Sequence, residues 1–142
     1  MKVCDVMSDK VVCISQDEPV SAAAKLLKRC NVGALPVCDE KKKLRGVLTD
    51  RDIVTRCVAA GADPQETAVS EIMSRGIVTA TPFDEVEQAA KVMRGDQVRR
   101  LPVLSEGRLV GMLSLCDLAR SAACEMEAGA ALTEISSGFR RK

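Results

Sequence analysis

The chain repeats itself, and this limits its fold more than any other feature of its 142 residues. Val6-Met7-Ser8 lies over Ile72-Met73-Ser74. In the same register Val12 meets Val78, Val20 meets Val86, and Ala23-Ala24-Lys25 falls on Ala89-Ala90-Lys91. Leu35-Pro36-Val37 then falls on Leu101-Pro102-Val103. One residue is lost where Lys41-Lys42-Lys43 faces the shorter Gly107-Arg108. Beyond it, Gly46-Val47-Leu48-Thr49 faces Gly111-Met112-Leu113-Ser114, and Asp52 faces Asp117. So many matches in one register, with a single gap in a turn, mark a duplicated unit.

Both copies predict the same elements. A short opening turn, Asp5 to Ser8 or Glu71 to Ser74, precedes an apolar, partly β-branched strand, Val11 to Ile14 or Ile77 to Ala80. Pro19 and Pro82 mark the turn that follows. Apolar residues at i, i+3, i+4 and i+7 then predict an amphipathic helix: Val20, Ala23, Ala24 and Leu27 in one copy, Val86, Ala89, Ala90 and Met93 in the other. A hairpin comes next, Ala34 to Val37 with Leu44 to Leu48, and Arg100 to Leu104 with Leu109 to Leu113; the lysine run forms a solvated tip. A last helix from Asp50 to Ala60 closes at Gly61, and its counterpart runs from Leu115 to Glu125. Gly61-Ala62-Asp63-Pro64 is the best linker, giving repeats at 1–64 and 65–128 and a peripheral tail at 129–142 with a basic end. A β-α-β-β-α unit of this size cannot cover both faces of its sheet. The expected fold is therefore α/β in the α+β sense: two repeats packed with pseudo-twofold symmetry, leaving two related clefts between them.

Composition removes several classes of function. The 21 basic and 20 acidic residues give a net charge of +1, which offers no field to nucleic acid or an anionic membrane. The two aromatics, Phe83 and Phe139, make no stacking platform. No apolar run approaches the roughly 18 residues of a membrane span. The chain has no histidine, so Ser/His and Cys/His nucleophile pairs are impossible, and no catalytic constellation stands out. The seven cysteines contain no C-x-x-C pair, which argues against a zinc site; their odd number fits a reducing cytoplasm. Cys57, beside Arg56, has the adjacent positive charge that can activate a thiol.

The segment Gly46-Val47-Leu48-Thr49-Asp50-Arg51-Asp52, echoed by Gly111-Met112-Leu113-Ser114-Leu115-Cys116-Asp117, closely resembles the corresponding motif of the CBS domain. The Leu-Pro-Val strand and the Val/Ile-Met-Ser opening, each used twice, strengthen the resemblance, which covers residues 1 to 125. It implies a stand-alone CBS pair, or Bateman module. Such modules bind adenosine-containing ligands in the inter-repeat clefts: AMP, ADP, ATP or S-adenosylmethionine, none of them a required cofactor. It also implies a homodimer acting on a partner protein whose identity the sequence does not give. By the same resemblance Thr49 and Asp52 contact ribose and phosphate in one cleft, and Ser114 and Asp117 do so in the other.

The residues suit that role. An ionised carboxylate accepts two hydrogen bonds, as a ribose diol requires. Val12, Cys13, Val78, Thr79 and Ala80 would supply an apolar slot and backbone groups for adenine. Arg51, Arg99 and Arg100 are candidates for phosphate, although strand alternation sends Arg99 and Arg100 to opposite faces. The copies differ here: Arg99-Arg100 faces Gly33-Ala34, and Arg51 faces Cys116. A plainer reading stands beside this one. Thr-x-x-Asp and Ser-x-x-Asp are also capping boxes, which a helix start needs in a module that binds no nucleotide. A structural or interaction protein of the same fold is thus the alternative to a non-catalytic ligand sensor.

Overall fold

The helix expected at Val20 forms as α2 (Val20–Cys30), with Val20, Ala23 and Leu27 buried. This computed structural model describes residues 1–121 and Ile135. Ala24, expected on the buried face of α2, is exposed. Its duplicate helix, α5 (Val86–Asp96), buries all four predicted residues, Val86, Ala89, Ala90 and Met93. Both helices end on a residue in the left-handed region, Asn31 (φ 53°) and Gln97 (φ 56°). The amides of Val32 and Val98 then turn back to the carbonyls of Leu27 and Met93, at 3.1 and 3.0 Å, closing the last turn of each helix.

The chain divides into two compact units, and they are offset from the repeats. One is Val12–Ile77; the other joins Met1–Val11 to the chain from Val78 onward. The predicted linker at Gly61-Ala62-Asp63-Pro64 lies inside the first unit. The crossings between units, as distinct from the join between copies, fall at Val11/Val12 and Ile77/Val78.

The Val12–Ile77 unit holds a three-stranded sheet in the order β1 (Ile14–Ser15), β2 (Ala34–Cys38), β3 (Leu44–Thr49). β1 is parallel to β2, and β2 is antiparallel to β3 with a bulge at Val37/Cys38. The first strand is shorter and later than Val11 to Ile14, because Pro36 has no N–H with which to extend the parallel ladder. β3 runs into α3 (Asp50–Ile53) and a π-helical turn, Val54–Val58, rather than one α-helix to Ala60. There the Thr55 hydroxyl donates to the Arg51 carbonyl at 2.8 Å, in competition with the helical ladder. Gly61 takes the expected left-handed cap (φ 74°). The opening turn of the second copy, α4 (Val69–Ile72), belongs to this unit: Val69 and Ser70 donate to the carbonyls of Glu18 and Gln16 at 2.9 and 3.0 Å. The core gathers Leu35, Val37 and Leu48 with Cys57, Val69 and Met73.

The other unit repeats the plan. Its opening helix α1 (Val3–Val6) donates from Val3 and Cys4 to the carbonyls of Asp84 and Pro82, both at 2.9 Å. The hairpin is β4 (Arg100–Ser105) and β5 (Arg108–Ser114), bulged at Val103/Leu104. The strand expected at Ile77 to Ala80 reduces to one parallel bridge, Ala80 with Val103. β5 leads into α6 (Leu115–Arg120); the expected extension to Glu125 lies outside the described residues. The tail expected to be peripheral contributes Ile135 to the core, beside Leu101, Leu113 and Leu118.

Candidate functional site

In each unit a strand ends on a hydroxyl and a short helix starts beneath it. Thr49 closes β3 with an extended backbone and caps α3. Its Oγ1 accepts the Asp52 amide at 3.0 Å, and its own amide donates to Asp52 Oδ2 at 3.0 Å. Ser114 and Asp117 repeat this closed box at 3.1 and 2.8 Å. The capping reading is thus realised at both junctions, each cap stabilising its helix start by about 1 kcal/mol. The box uses one carboxylate oxygen. Each hydroxyl accepts and remains able to donate.

The second carboxylate oxygens have different surroundings. Asp52 is 8% exposed. The Ser74 hydroxyl lies 3.5 Å from both of its oxygens, and Arg56 Nε is 3.9 Å from Oδ1. Arg56 also donates through Nη1 to the Ile72 carbonyl at 3.1 Å, tying the π-helical turn to the end of α4. The Asp117 side chain is nearly as enclosed, 14% exposed against 11% for Asp52, and its Oδ1 meets Arg120 Nη1 at 3.9 Å. The parts of Arg56 and Ser74 escaped the sequence reading. In sequence Ser74 stands out only as the repeat match of Ser8, and Arg56 only as a neighbour of Cys57.

Register places the candidate arginines. Arg100 is the cross-strand partner of Ser114, so the two side chains share a sheet face. The Arg99 carbonyl accepts the Leu115 amide at 3.0 Å, within the same junction. In the other unit Ala34 sits opposite Thr49, and the Gly33 carbonyl accepts the Asp50 amide at 3.0 Å. Arg51, Arg99 and Arg100 are all exposed, with no ion pair among the described residues.

Val12 is 45% exposed and Cys13 half-buried; both share a unit with Thr49, Arg51 and Asp52. Val78 is half-buried, Thr79 exposed and Ala80 buried, in the unit of Ser114, Asp117, Arg99 and Arg100. The Ala80 amide donates to the Pro102 carbonyl at 3.0 Å, so it is not available to an adenine ring.

Cys57 is not the reactive thiol its neighbour suggested. It is fully buried, its Sγ lies 3.6 Å from the Ala62 carbonyl, and Arg56 turns to other partners. Among the described residues no three His, Cys, Asp or Glu stand together as a metal site, and no helix is long and apolar enough to cross a membrane.

The CBS domain family model matches residues 3–59 and 69–123. The CBS domain-containing protein YhcV of Bacillus subtilis is 44% identical over 132 residues, 93% of each chain. Three solved structures share the fold. A structure of Hypoxic Response Protein I with two coordinated zinc ions has a TM-score of 0.79 at 38% identity, over 84% of this chain and 98% of that one. The CBS domain pair of MJ0100, in complex with 5′-methylthioadenosine and S-adenosyl-L-methionine, has a TM-score of 0.74 at 29% identity over 84% and 94%. CBSX2 in complex with AMP has a TM-score of 0.75 at 25% identity over 89% and 98%.

Proposed function

This chain belongs to the CBS domain family, and from that premise we propose that it is a non-catalytic sensor of an adenosine-containing ligand. The ligand class is AMP, ADP, ATP or S-adenosylmethionine. Relatives of the same fold hold AMP in one case and S-adenosylmethionine with methylthioadenosine in another, which supports the class. The observation that carries the reading is the carboxylate oxygen left outside the capping box at each junction. A helix cap needs one oxygen of the aspartate; a ribose diol needs an acceptor beside it. Thr49 and Ser114 add a hydroxyl that can donate. Val12 and Val78, apolar and not buried, are candidate walls for adenine.

The reading extends to a homodimer in a reducing cytoplasm, acting on another protein by binding it differently with and without ligand. The six described cysteines are all free, which fits that compartment.

The complete capping boxes favour a second reading, an interaction module that binds no nucleotide. Thermal unfolding with millimolar AMP, ADP, ATP and S-adenosylmethionine separates the two. A ligand at one hundred times its Kd stabilises the native state by about 2.7 kcal/mol. That is a rise of several degrees in Tm for a chain of this length. No shift with any of the four overturns the sensor. Light scattering gives the mass of the assembly, and a monomeric mass removes the dimer.

A further inference from the structure

Two cysteines of the Val12–Ile77 unit adjoin on one face of its sheet. β1 runs parallel to β2, with Ile14 opposite Val37 and Ser15 opposite Cys38. Side chains alternate along a strand, so Cys13 shares its face with Ser15, and Ser15 shares that face with Cys38. Ile14 and Val37 fill the core of the unit; Cys13 and Cys38 lie on the other side and are no part of that core. The Cys13 thiol is close enough to act on the Cys38 thiol by charge and by hydrogen bonding. Both thiols are free.

The backbone allows the two sulfurs to join. Diagonal neighbours across paired strands stand about 7–8 Å apart. A disulfide needs Cα atoms within about 7 Å of each other. Cys13 lies just before β1, in the stretch 9–13 that is neither helix nor strand, so the ladder does not hold its backbone in place. A small inward shift of Cys13 closes the gap.

The sulfurs differ in access. Cys13 is half-buried, whereas Cys38 is 2% exposed. Burial first, and Cys13 next, push the Cys38 thiol up to about 12, so it stays protonated near neutral pH. An oxidant in solution therefore meets Cys13 first. The other described cysteines stand elsewhere. Cys30 ends α2, outside the sheet, and Cys57 Sγ faces the Ala62 carbonyl at 3.6 Å. Cys4 and Cys116 belong to the other unit.

We propose that Cys13 and Cys38 form a thiol-oxidation site, at which hydrogen peroxide closes an intramolecular disulfide. The Cys13 sulfur, as thiolate, attacks one peroxide oxygen; the O–O bond breaks, water leaves and a sulfenic acid remains. The Cys38 sulfur gives up its proton and attacks the Cys13 sulfur; the S–S bond forms, the S–O bond breaks and a second water leaves. The two thiols lose two electrons and two protons, and the peroxide takes them up. In a reducing compartment the pair rests as the dithiol, and cellular thiols return it to that state. The bond ties the chain before β1 to the end of β2 and encloses α2.

Peptide mapping of the full chain tests the site. The reduced protein is treated with hydrogen peroxide, then unfolded in iodoacetamide. The expected product is one peptide pair linked through Cys13 and Cys38, lighter by the two hydrogens lost and separated again by dithiothreitol. The same treatment in urea gives mixed links, with this pair no longer favoured. Cys38→Ala leaves a Cys13 sulfenic acid that dimedone traps. If that buried substitution lowers Tm, Cys13→Ser serves instead, and its Cys38 stays a thiol under the same peroxide. Links through other cysteines or between chains in the native protein overturn the proposal. So does a Cys13 that is oxidised without ever joining Cys38, or a Cys38 that is oxidised in Cys13→Ser. None of these outcomes touches the adenosine reading.

Discussion

At the scale of single residues, the same spacing that made Asp52 and Asp117 visible in sequence also hid their difference. A capping box is local: a hydroxyl and a carboxylate three positions apart suffice, so both boxes were legible. The Ser74 and Arg56 contacts to Asp52 depend on where α4 docks, which no local pattern encodes. The cysteines teach the same point. Cys57 looked activated by a neighbour in sequence, yet burial decides its chemistry. Cys38 is buried as well, and its thiol is pushed up to about 12, chiefly by desolvation and further by the adjoining Cys13. Almost no thiolate exists there at neutral pH. Iodoacetamide applied to the native protein near pH 8 should therefore label the exposed Cys4 and Cys116 first, leaving Cys38 and Cys57 for the denatured chain. Peptide mass mapping reads the order, and early labelling of Cys38 or Cys57 contradicts these burials.

At the scale of elements, the most informative positions are two glycines. Gly46 in β3 and Gly111 in β5 read in sequence only as the first residue of a motif. In the structure a Cβ on Gly46 would stand 2.6 Å from the Ser74 carbonyl oxygen, and one on Gly111 would stand 2.9 Å from that of Ser8. The bare backbone lets the Met-Ser opening pair with the strand, through Val47 with Ser74 and Met112 with Ser8. Gly46→Ala and Gly111→Ala should each cost about 1–3 kcal/mol by overpacking. Gly95→Ala, in the last turn of α5 with nothing near its Cβ, should gain about 0.5 kcal/mol. Urea unfolding measures all three, and neutral values at Gly46 and Gly111 would refute the close approach. The helices and hairpins were legible because their periodicities are strong. The first strand of each copy was overread, since a β-branched run does not show how much of it finds a partner. The bulge at the matched place in each hairpin was invisible to periodicity alone. At the hairpin tip, Asp39 accepts the amides of Lys41 and Lys43 at 2.9 and 3.0 Å and pairs with Arg45. The Lys43 amide is the largest cause holding the Asp39 carboxyl below its usual range.

At the scale of the whole molecule, duplication was the plainest message of the sequence, and the family match at residues 3–59 and 69–123 agrees with it. The compact units nevertheless do not follow the repeats. Each takes the opening turn of one copy and the sheet of the other, so the chain crosses between units twice. Nothing in the sequence says which sheet an opening turn will join, because the two sheets present the same motif. The exchange reaches the junction itself: the Ser74 hydroxyl, carried in from the second copy, lies 3.5 Å from both Asp52 oxygens. Crystals of the full chain grown with millimolar AMP test the proposed adenosine sensor most directly. The account predicts nucleotide density with ribose hydroxyls against Asp52 or Asp117. Crystals with no nucleotide at either aspartate at that concentration would contradict it.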